Sequence, residues 1–180
     1  MSYYTKSGDQ GKTCVLGSGR VGKGELVVEA LGDFDELSSV LGVAASFCDN
    51  VATRHTIENI QNDLHTVCAE ISGMTSKQYP RIKEQHVAEL EDAISMIEKS
   101  VGEQNSFLLP GGSTQASFIH LARSVARRAE RSLVRLSKKS EVSKNLLIYS
   151  NRLSTLLYVL ARLQNRIYKA HEVPPRYRYN

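Results

Sequence analysis

The sequence predicts an all-α protein, five helices packed as one bundle. Apolar residues recur at helical spacing in five separate segments, no stretch carries a convincing period-two alternation, and glycine, proline and serine gather in the gaps between segments. At 180 residues the chain is long enough for one domain with a proper core, and neither a repeat nor a composition shift divides it. We read it as a single domain over 1–180: a glycine-rich loop or short extended piece over 1–24, a helical body over 25–170 and a tail over 171–180.

Each helix rests on its own stripe. The first, about 25–47, carries Val27, Leu31, Phe34, Leu37, Leu41, Ala44 and Phe47. The second, about 53–72, places Ile57, Ile60, Leu64, Val67 and Ile71 on one face, and Ser76 to Pro80 breaks the chain after it. The third, about 82–100, uses Val87, Leu90, Ile94 and Ile97. A loop from Gly102 ends in Pro110-Gly111-Gly112, and Ser113 is the expected N-cap of a fourth helix over about 114–138. The fifth, about 142–169, is apolar right around its axis at Leu146, Leu147, Ile148 and Tyr149, so it should be buried on most sides. Asn151 and Arg152 fall inside it and need partners there; Arg152 is expected to pair with a carboxylate of the first helix, while Asn151 serves the structure or a ligand. Pro174 and Pro175 end it.

Composition narrows the function. No apolar run approaches the roughly 20 residues that span a bilayer, and the first residues show no secretory pattern, so a cytoplasmic protein without a membrane partner is expected. The three cysteines, Cys14, Cys48 and Cys68, are odd in number and widely spaced, which speaks against a disulfide framework or a zinc site. Cys48 and Cys68 read as small core hydrophobes. The formal net charge is +4, and five arginines fall between Arg123 and Arg135.

Two segments point to an anion. Gly17-Ser18-Gly19-Arg20-Val21-Gly22 fits a dinucleotide fingerprint and, extended to Lys23, nearly fits a P-loop. Both fail: Gly24 stands where a P-loop needs Ser or Thr, and no βαβ unit surrounds the glycines. The stretch Thr5 to Thr13 offers glycines, hydroxyls and lysines in one polar turn, where backbone N–H groups can form an anion-binding nest. On the fourth helix, Arg123, Arg127, Glu130 and Arg131 share an arc of about 100°, opposite Leu121, Ala122, Val125, Ala126, Ala129, Leu133 and Leu136. A merely solvated face usually mixes Lys with Glu; this one is nearly all arginine, whose planar fork suits phosphate. A bound anion and a bland basic surface both remain open on pattern alone, with nucleic acid a third reading that lacks a surrounding module.

Five blocks in order resemble one family. Tyr4-Thr5-Lys6-Ser7-Gly8-Asp9-Gln10-Gly11-Lys12-Thr13 resembles the YTKxGDxGxT opening of the PduO-type ATP:cob(I)alamin adenosyltransferases. Glu29 to Ser39 is similar to their EAxGxxDELxS segment, and Phe107-Leu108-Leu109-Pro110-Gly111-Gly112 to FxLPGG. Ile119-His120-Leu121-Ala122-Arg123 with Arg127-Arg128-Ala129-Glu130-Arg131 resembles LHxARxxxRRAER, Ile standing for Leu, and Ser150-Asn151-Arg152-Leu153-Ser154 resembles LNRLS. Together the blocks cover about residues 3–166.

The resemblance implies a homotrimeric five-helix bundle with active sites between subunits. It implies transfer of the 5′-deoxyadenosyl group of ATP to the cobalt of cob(I)alamin, with Mg²⁺ carried by the triphosphate and no metal ligand assigned to a protein side chain. ATP would lie against Thr5, Lys6, Ser7, Gly8, Thr13, Cys14 and Lys23, with Arg127, Arg128, Glu130, Arg131 and Asn151 completing the site. Arg127, Arg128 and Phe107 are the implied catalytic residues; Phe107 lies beside the corrin and helps displace its lower ligand, and Asp35 with Arg123 forms a salt bridge across the subunit interface. Cob(I)alamin is itself a strong nucleophile, so no general base is needed, and His65 and His120 are expected to be structural hydrogen-bonding residues. Ser7 stands where the family often has threonine, Cys14 where small residues are common, and Tyr177 or Tyr179 could close over the corrin. Implied partners are a second copy of the chain, a cobalamin reductase and an adenosylcobalamin-dependent enzyme. A protein that retains and delivers adenosylcobalamin, and a nucleic-acid-binding helical protein, are the competing functions.

Overall fold

The computed structural model describes residues 4, 6–73 and 80–177. Five helices make up its body: α1 (Leu26–Phe47), α2 (Val51–Ser72), α3 (Glu84–Val101), α4 (Thr114–Ser137) and α5 (Lys144–Ile167). Three of them start on a side-chain cap, one of which, Ser113, is the cap expected from the sequence. Asn50 accepts from the Thr53 N–H at 2.9 Å, Ser113 from the Ala116 N–H at 3.2 Å, and Ser143 from the Leu146 N–H at 3.2 Å. The α2, α3 and α5 boundaries shift by two residues or so from the sequence reading, because caps rather than apolar stripes set helix ends.

One element was not expected as such. Lys12–Val15 (β1) and Gly19–Gly22 (β2) pair antiparallel, with Thr13 opposite Val21 and Cys14 opposite Arg20. Each strand has four residues, too few for alternation to register. The turn instead uses backbone freedom: Gly17 and Gly19 both take positive φ, at 78° and 72°, and the Ser18 N–H donates to Val15 O at 3.2 Å. The apparent nucleotide fingerprint is therefore the tip and second strand of a hairpin.

α4 packs between α1 and α5; α2 lies on α1, and α3 on α5. The core runs along these contacts, from Phe34, Leu37 and Leu41 through Ile57, Leu64, Ile119 and Leu133 to Leu153 and Leu157. Fully burying one such side chain stabilises by roughly 1.5–3 kcal/mol. Two polar groups inside are paired across helices: Tyr149, with no exposed surface, donates its hydroxyl to Asp63 Oδ2 at 2.9 Å, and Gln164 Nε2 donates to Thr53 Oγ1 at 2.7 Å, while Gln164 Oε1 has no partner among the described residues. Cys48 is buried as expected, while Cys68 is only half-buried. Burial, then the charge of Asp35, pushes the Cys68 thiol up to about 11.

Five local expectations change. Leu121 lies on the exposed side of α4, one step beyond the apolar arc, and Phe47 is exposed but stacks on Phe118 with ring centroids 4.8 Å apart. Arg152 pairs with Glu91 of α3 at 2.8 Å, not with α1, because α3 is the neighbour on that flank of α5. Asn151 is exposed, and so is His65, which leaves His65 no buried structural role. Residues 76–79 of the expected break lie outside the described residues.

Candidate functional site

The N-terminal loop folds as a series of tight turns. Lys6 takes φ 58°, the Asp9 N–H donates to Lys6 O at 3.3 Å, and the Gly11 N–H donates to Gly8 O at 3.2 Å. The Lys23 N–H then donates to Gly11 O at 2.8 Å and ties the far end of the hairpin back to the loop. That bond brings the Lys23 ammonium against Gly8: a methyl group added to Gly8 would sit 3.3 Å from Nζ. Arg20 donates to the Ser7 carbonyl. A turn with small residues, flanked by a lysine and an arginine, is chemically an anion cradle. Thr13 and Cys14 are adjacent on β1 and so point to opposite faces, Thr13 half-buried and Cys14 exposed.

The five arginines of α4 have different fates. Arg128 donates from Nε to Asp33 Oδ1 at 3.0 Å and from Nη2 to Glu36, both on α1. Its guanidinium is held there firmly enough that the hydrogen bonds to Glu36 and Asp33 raise its pKa. Asp33 also accepts from Ser132, and Arg135 pairs with Glu29 at 2.5 Å. These groups knit α4 to α1. Arg123 is half-buried, lies 6.0 Å from the Tyr158 ring centroid, and leaves its Nε without a partner among the described residues. Asp35 is exposed on α1 and makes no ion pair with Arg123 within the chain.

Arg127 and Arg131 are the remaining two. Both are exposed, and neither has an ion-pair partner among the described residues. They line one open cleft of about 400 Å³ with Glu130, Val134, Arg135 and Asn151. Asn151 Nδ2 donates to Glu130 Oε1 at 2.9 Å, and its own Oδ1 accepts from Arg152 Nη1 at 3.1 Å. The Asn–Glu pair thus forms a polar floor with two free guanidinium groups beside it.

The third part is the turn from Phe107 to Ser113. Gly111 and Gly112 take φ 155° and 105°, and a methyl group on Gly112 would lie 2.2 Å from Asn165 Oδ1. Asn165, 2% exposed, accepts from the Ser113 N–H at 2.9 Å and donates to Gly111 O at 2.9 Å. One buried amide therefore fixes both the glycine turn and the start of α4. Phe107 stands out from this turn with 81% of its surface exposed.

Comparison with known proteins decides the family. The sequence pattern described as cobalamin adenosyltransferase matches residues 3–164. The chain belongs to the cobalamin adenosyltransferase family. It is 40% identical over 175 residues to the corrinoid adenosyltransferase PduO of Citrobacter freundii, a match of 96% of this chain and 52% of that one, so it spans about half the length of that relative. It is 38% identical over 172 residues to the corrinoid adenosyltransferase of Bacillus subtilis, covering 92% of this chain and 87% of that one. A phenylalanine-to-alanine variant of the PduO-type ATP:corrinoid adenosyltransferase of Lactobacillus reuteri, solved in complex with cobalamin and ATP, superposes with a TM-score of 0.92. The two are 30% identical over 98% of this chain and 100% of that one. An arginine-to-lysine variant of the Lactobacillus reuteri enzyme, solved with ATP, superposes at 0.90 with 30% identity, covering 96% of this chain and 99% of that one.

Within this family member, the residues singled out by sequence fall into three groups. Lys6, Ser7, Gly8 and Lys23 gather at the loop, with Thr13 and Cys14 on the adjoining strand. Arg127, Glu130, Arg131 and Asn151 share the cleft on α4 and α5, and Phe107 stands alone on its turn. Arg128 faces α1 rather than the cleft, and Thr5 and Tyr179 lie outside the described residues. Tyr177 is exposed. Asn165, Arg20 and the Asp33–Glu36 pair escaped sequence reasoning. Asn165 had a signal, a polar residue on a helix apolar around its axis, but its partner turn is 52 positions away.

Proposed function

We propose that this chain transfers the 5′-deoxyadenosyl group of ATP to the Co(I) centre of a reduced corrinoid, giving an adenosylcorrinoid and triphosphate. The observation that carries this reading is the cleft in which Arg127 and Arg131 stay free of carboxylates while their neighbours Arg128 and Arg135 are neutralised. Two unpaired guanidinium groups in one concave site suit a polyanion that develops charge as it leaves. The corrinoid brings its own nucleophile, so the protein's work is to hold C5′ in line with cobalt and to stabilise the departing triphosphate.

The loop bearing Lys6, Ser7, Gly8 and Lys23 and the arginine cleft each form half of a phosphate site. We place the complete site between subunits of a homotrimer, loop from one copy and cleft from the next. The unpartnered Arg123 Nε and the exposed Asp35 support this, as two halves of a bridge that closes between copies. Thr13 and Cys14 leave β1 on opposite faces, so one would contact the nucleotide through its side chain and the other through its main chain, with Thr5 reaching it from the loop. Arg128 would reach the triphosphate only by leaving Asp33 and Glu36, so its resting role is to dock α4 on α1.

A resident metal cage is not needed. Mg²⁺ keeps several waters and binds through phosphate oxygens with one or two carboxylates, and Glu130 is the one carboxylate lining the cleft. Mg²⁺ would thus arrive on the triphosphate and neutralise part of its charge. Phe107, exposed on its turn, would face the corrin and exclude its lower ligand. No described helix is long and apolar enough to cross a membrane, and the three free cysteines suit a reducing cytoplasm.

The test is anaerobic incubation with reduced cobalamin, ATP and Mg²⁺, following the corrin absorbance. Formation of the adenosylated product is expected. No conversion where the Bacillus subtilis relative succeeds removes the proposal.

A further inference from the structure

Resting on the reading of Phe107 as the corrin-facing residue, we infer that Tyr158 and Gln104 act together as positioning residues that set the backbone carrying Phe107. Phe107 is too exposed for packing to orient its ring, so its direction must come from the main chain beneath it. The connection from Gly102 to Ser113 has no regular structure and is held instead by a few side chains from α5 and one tail contact. Arg162 Nη1 donates to Gly102 O at 3.3 Å near its start, the Leu109 N–H donates to Val173 O at 2.8 Å, and Asn165 fixes the end.

Immediately before Phe107 the restraint is a two-step relay. The Tyr158 hydroxyl donates to Gln104 Oε1 at 2.6 Å, and Gln104 Nε2 donates to Ser106 O at 2.7 Å. Turning the amide over would face its oxygen to the Ser106 carbonyl, so only one orientation satisfies both bonds. Ser106 O belongs to the peptide that begins Phe107. The relay therefore runs from a helix to the very bond that orients the aromatic ring.

Tyr158 is itself anchored on α4. Its ring lies 5.9 Å from the His120 ring, tilted by 55°, and 6.0 Å from the Arg123 guanidinium carbon. One side chain thus touches Arg123, the residue proposed for the bridge between copies, and directs the loop of Phe107. Tyr158 would thus keep the Phe107 turn in register with Arg123 on α4.

The experiment uses Tyr158→Phe, Gln104→Ala, the double variant and Phe107→Ala in the full chain. Tyr158→Phe keeps the ring and its contacts and loses only the hydroxyl. Each single variant should lower kcat by about three- to tenfold, the scale of one lost hydrogen bond. The double variant should be no worse than the poorer single, because the two side chains form one relay. KM for ATP and the melting temperature should stay at wild-type values, while the fraction of Co(II) corrinoid that loses its lower ligand, read from its visible spectrum with Mg-ATP present, falls with kcat. Wild-type kcat in both singles, with Phe107→Ala impaired, overturns the positioning role alone. So does a kcat loss matched by a lower melting temperature or a raised KM for ATP. Wild-type turnover in Phe107→Ala overturns the reading of the loop itself, and this inference with it.

Discussion

Arg127 and Arg128 are adjacent in sequence and opposite in circumstance. A helical step of about 100° turns Arg128 onto α1, where Asp33 and Glu36 take both sides of its fork, and leaves Arg127 at an open cleft, in no ion pair with any carboxylate among the described residues. The same split repeats one turn on, between Arg131 in the cleft and Arg135 on Glu29. Arginine content alone therefore does not mark a phosphate site. In the proposed site, what would mark it is which guanidinium groups the fold leaves uncompensated, since a cation without an internal partner is the one with binding energy to offer a ligand.

The largest expected effect tests that statement directly. Arg127→Ala should lower kcat by about 10²- to 10³-fold, the usual loss when a donor to developing charge is removed, with the melting temperature unchanged. Steady-state kinetics beside a thermal melt check it; near-wild-type turnover would mean the triphosphate lies elsewhere. Arg128→Ala should invert the pattern, costing stability by about 1–2 kcal/mol because Asp33, largely shielded from water, loses its cation and keeps only the Ser132 hydroxyl, with a smaller loss of kcat. Should Arg128→Ala instead match Arg127→Ala in kcat and keep its stability, the guanidinium must leave α1 during the reaction, and the comparison breaks.

Arg123 offers an intermediate case through its neighbour. His120 is 5% exposed, and its Nδ1 has no partner among the described residues; burial, then the charge of Arg123, holds its pKa below the ordinary imidazole value, against a smaller upward pull from Glu172. The unfolded chain thus takes up this proton more readily than the folded one. The stability contributed by neutral His120 is complete above about pH 6.5 and is lost as the pH falls through its lower folded value. Thermal melts from pH 7.5 to 5 should slope more steeply for wild type than for His120→Gln, and equal slopes would sink the assignment. The expected hydrogen-bonded structural role for His120 does not hold at Nδ1; its ring serves by packing on Tyr158.

What was legible in the sequence follows the range of the interactions. Helices announce themselves because Phe34, Leu37 and Leu41, or Ile57, Ile60 and Leu64, repeat within a few residues. The hairpin did not, because four-residue strands carry no period and its turn depends on glycine backbone angles. Among candidate site residues, the arc shared by Arg127, Glu130 and Arg131 and the polar turn from Thr5 to Thr13 were visible from local pattern, and the resemblance supplied Phe107. Invisible were the pairings that divide the arginines: Asp33 is 95 positions from Arg128, and Asn165 reaches 52 positions back to Ser113. Neither pairing leaves a trace in spacing, because each is created only when the helices pack.

The smallest expected effect belongs to Arg135, and it sharpens the comparison by setting a floor. Arg135 and Glu29 are each nearly half-exposed, so water screens their attraction even at 2.5 Å. Arg135→Ala should cost about 0–1 kcal/mol, the range of surface ion pairs, and the loss should shrink as salt is raised. Arg135 also lines the cleft, yet its charge is already matched by Glu29, so kcat should fall far less than in Arg127→Ala. A double-mutant cycle with Glu29→Gln separates the two roles: coupling in stability but not in kcat is expected. If Glu29→Gln instead raises affinity for ATP, freeing Arg135 recruits a third guanidinium to the phosphate site, and the line between paired and unpaired arginines is one that a single carboxylate can move.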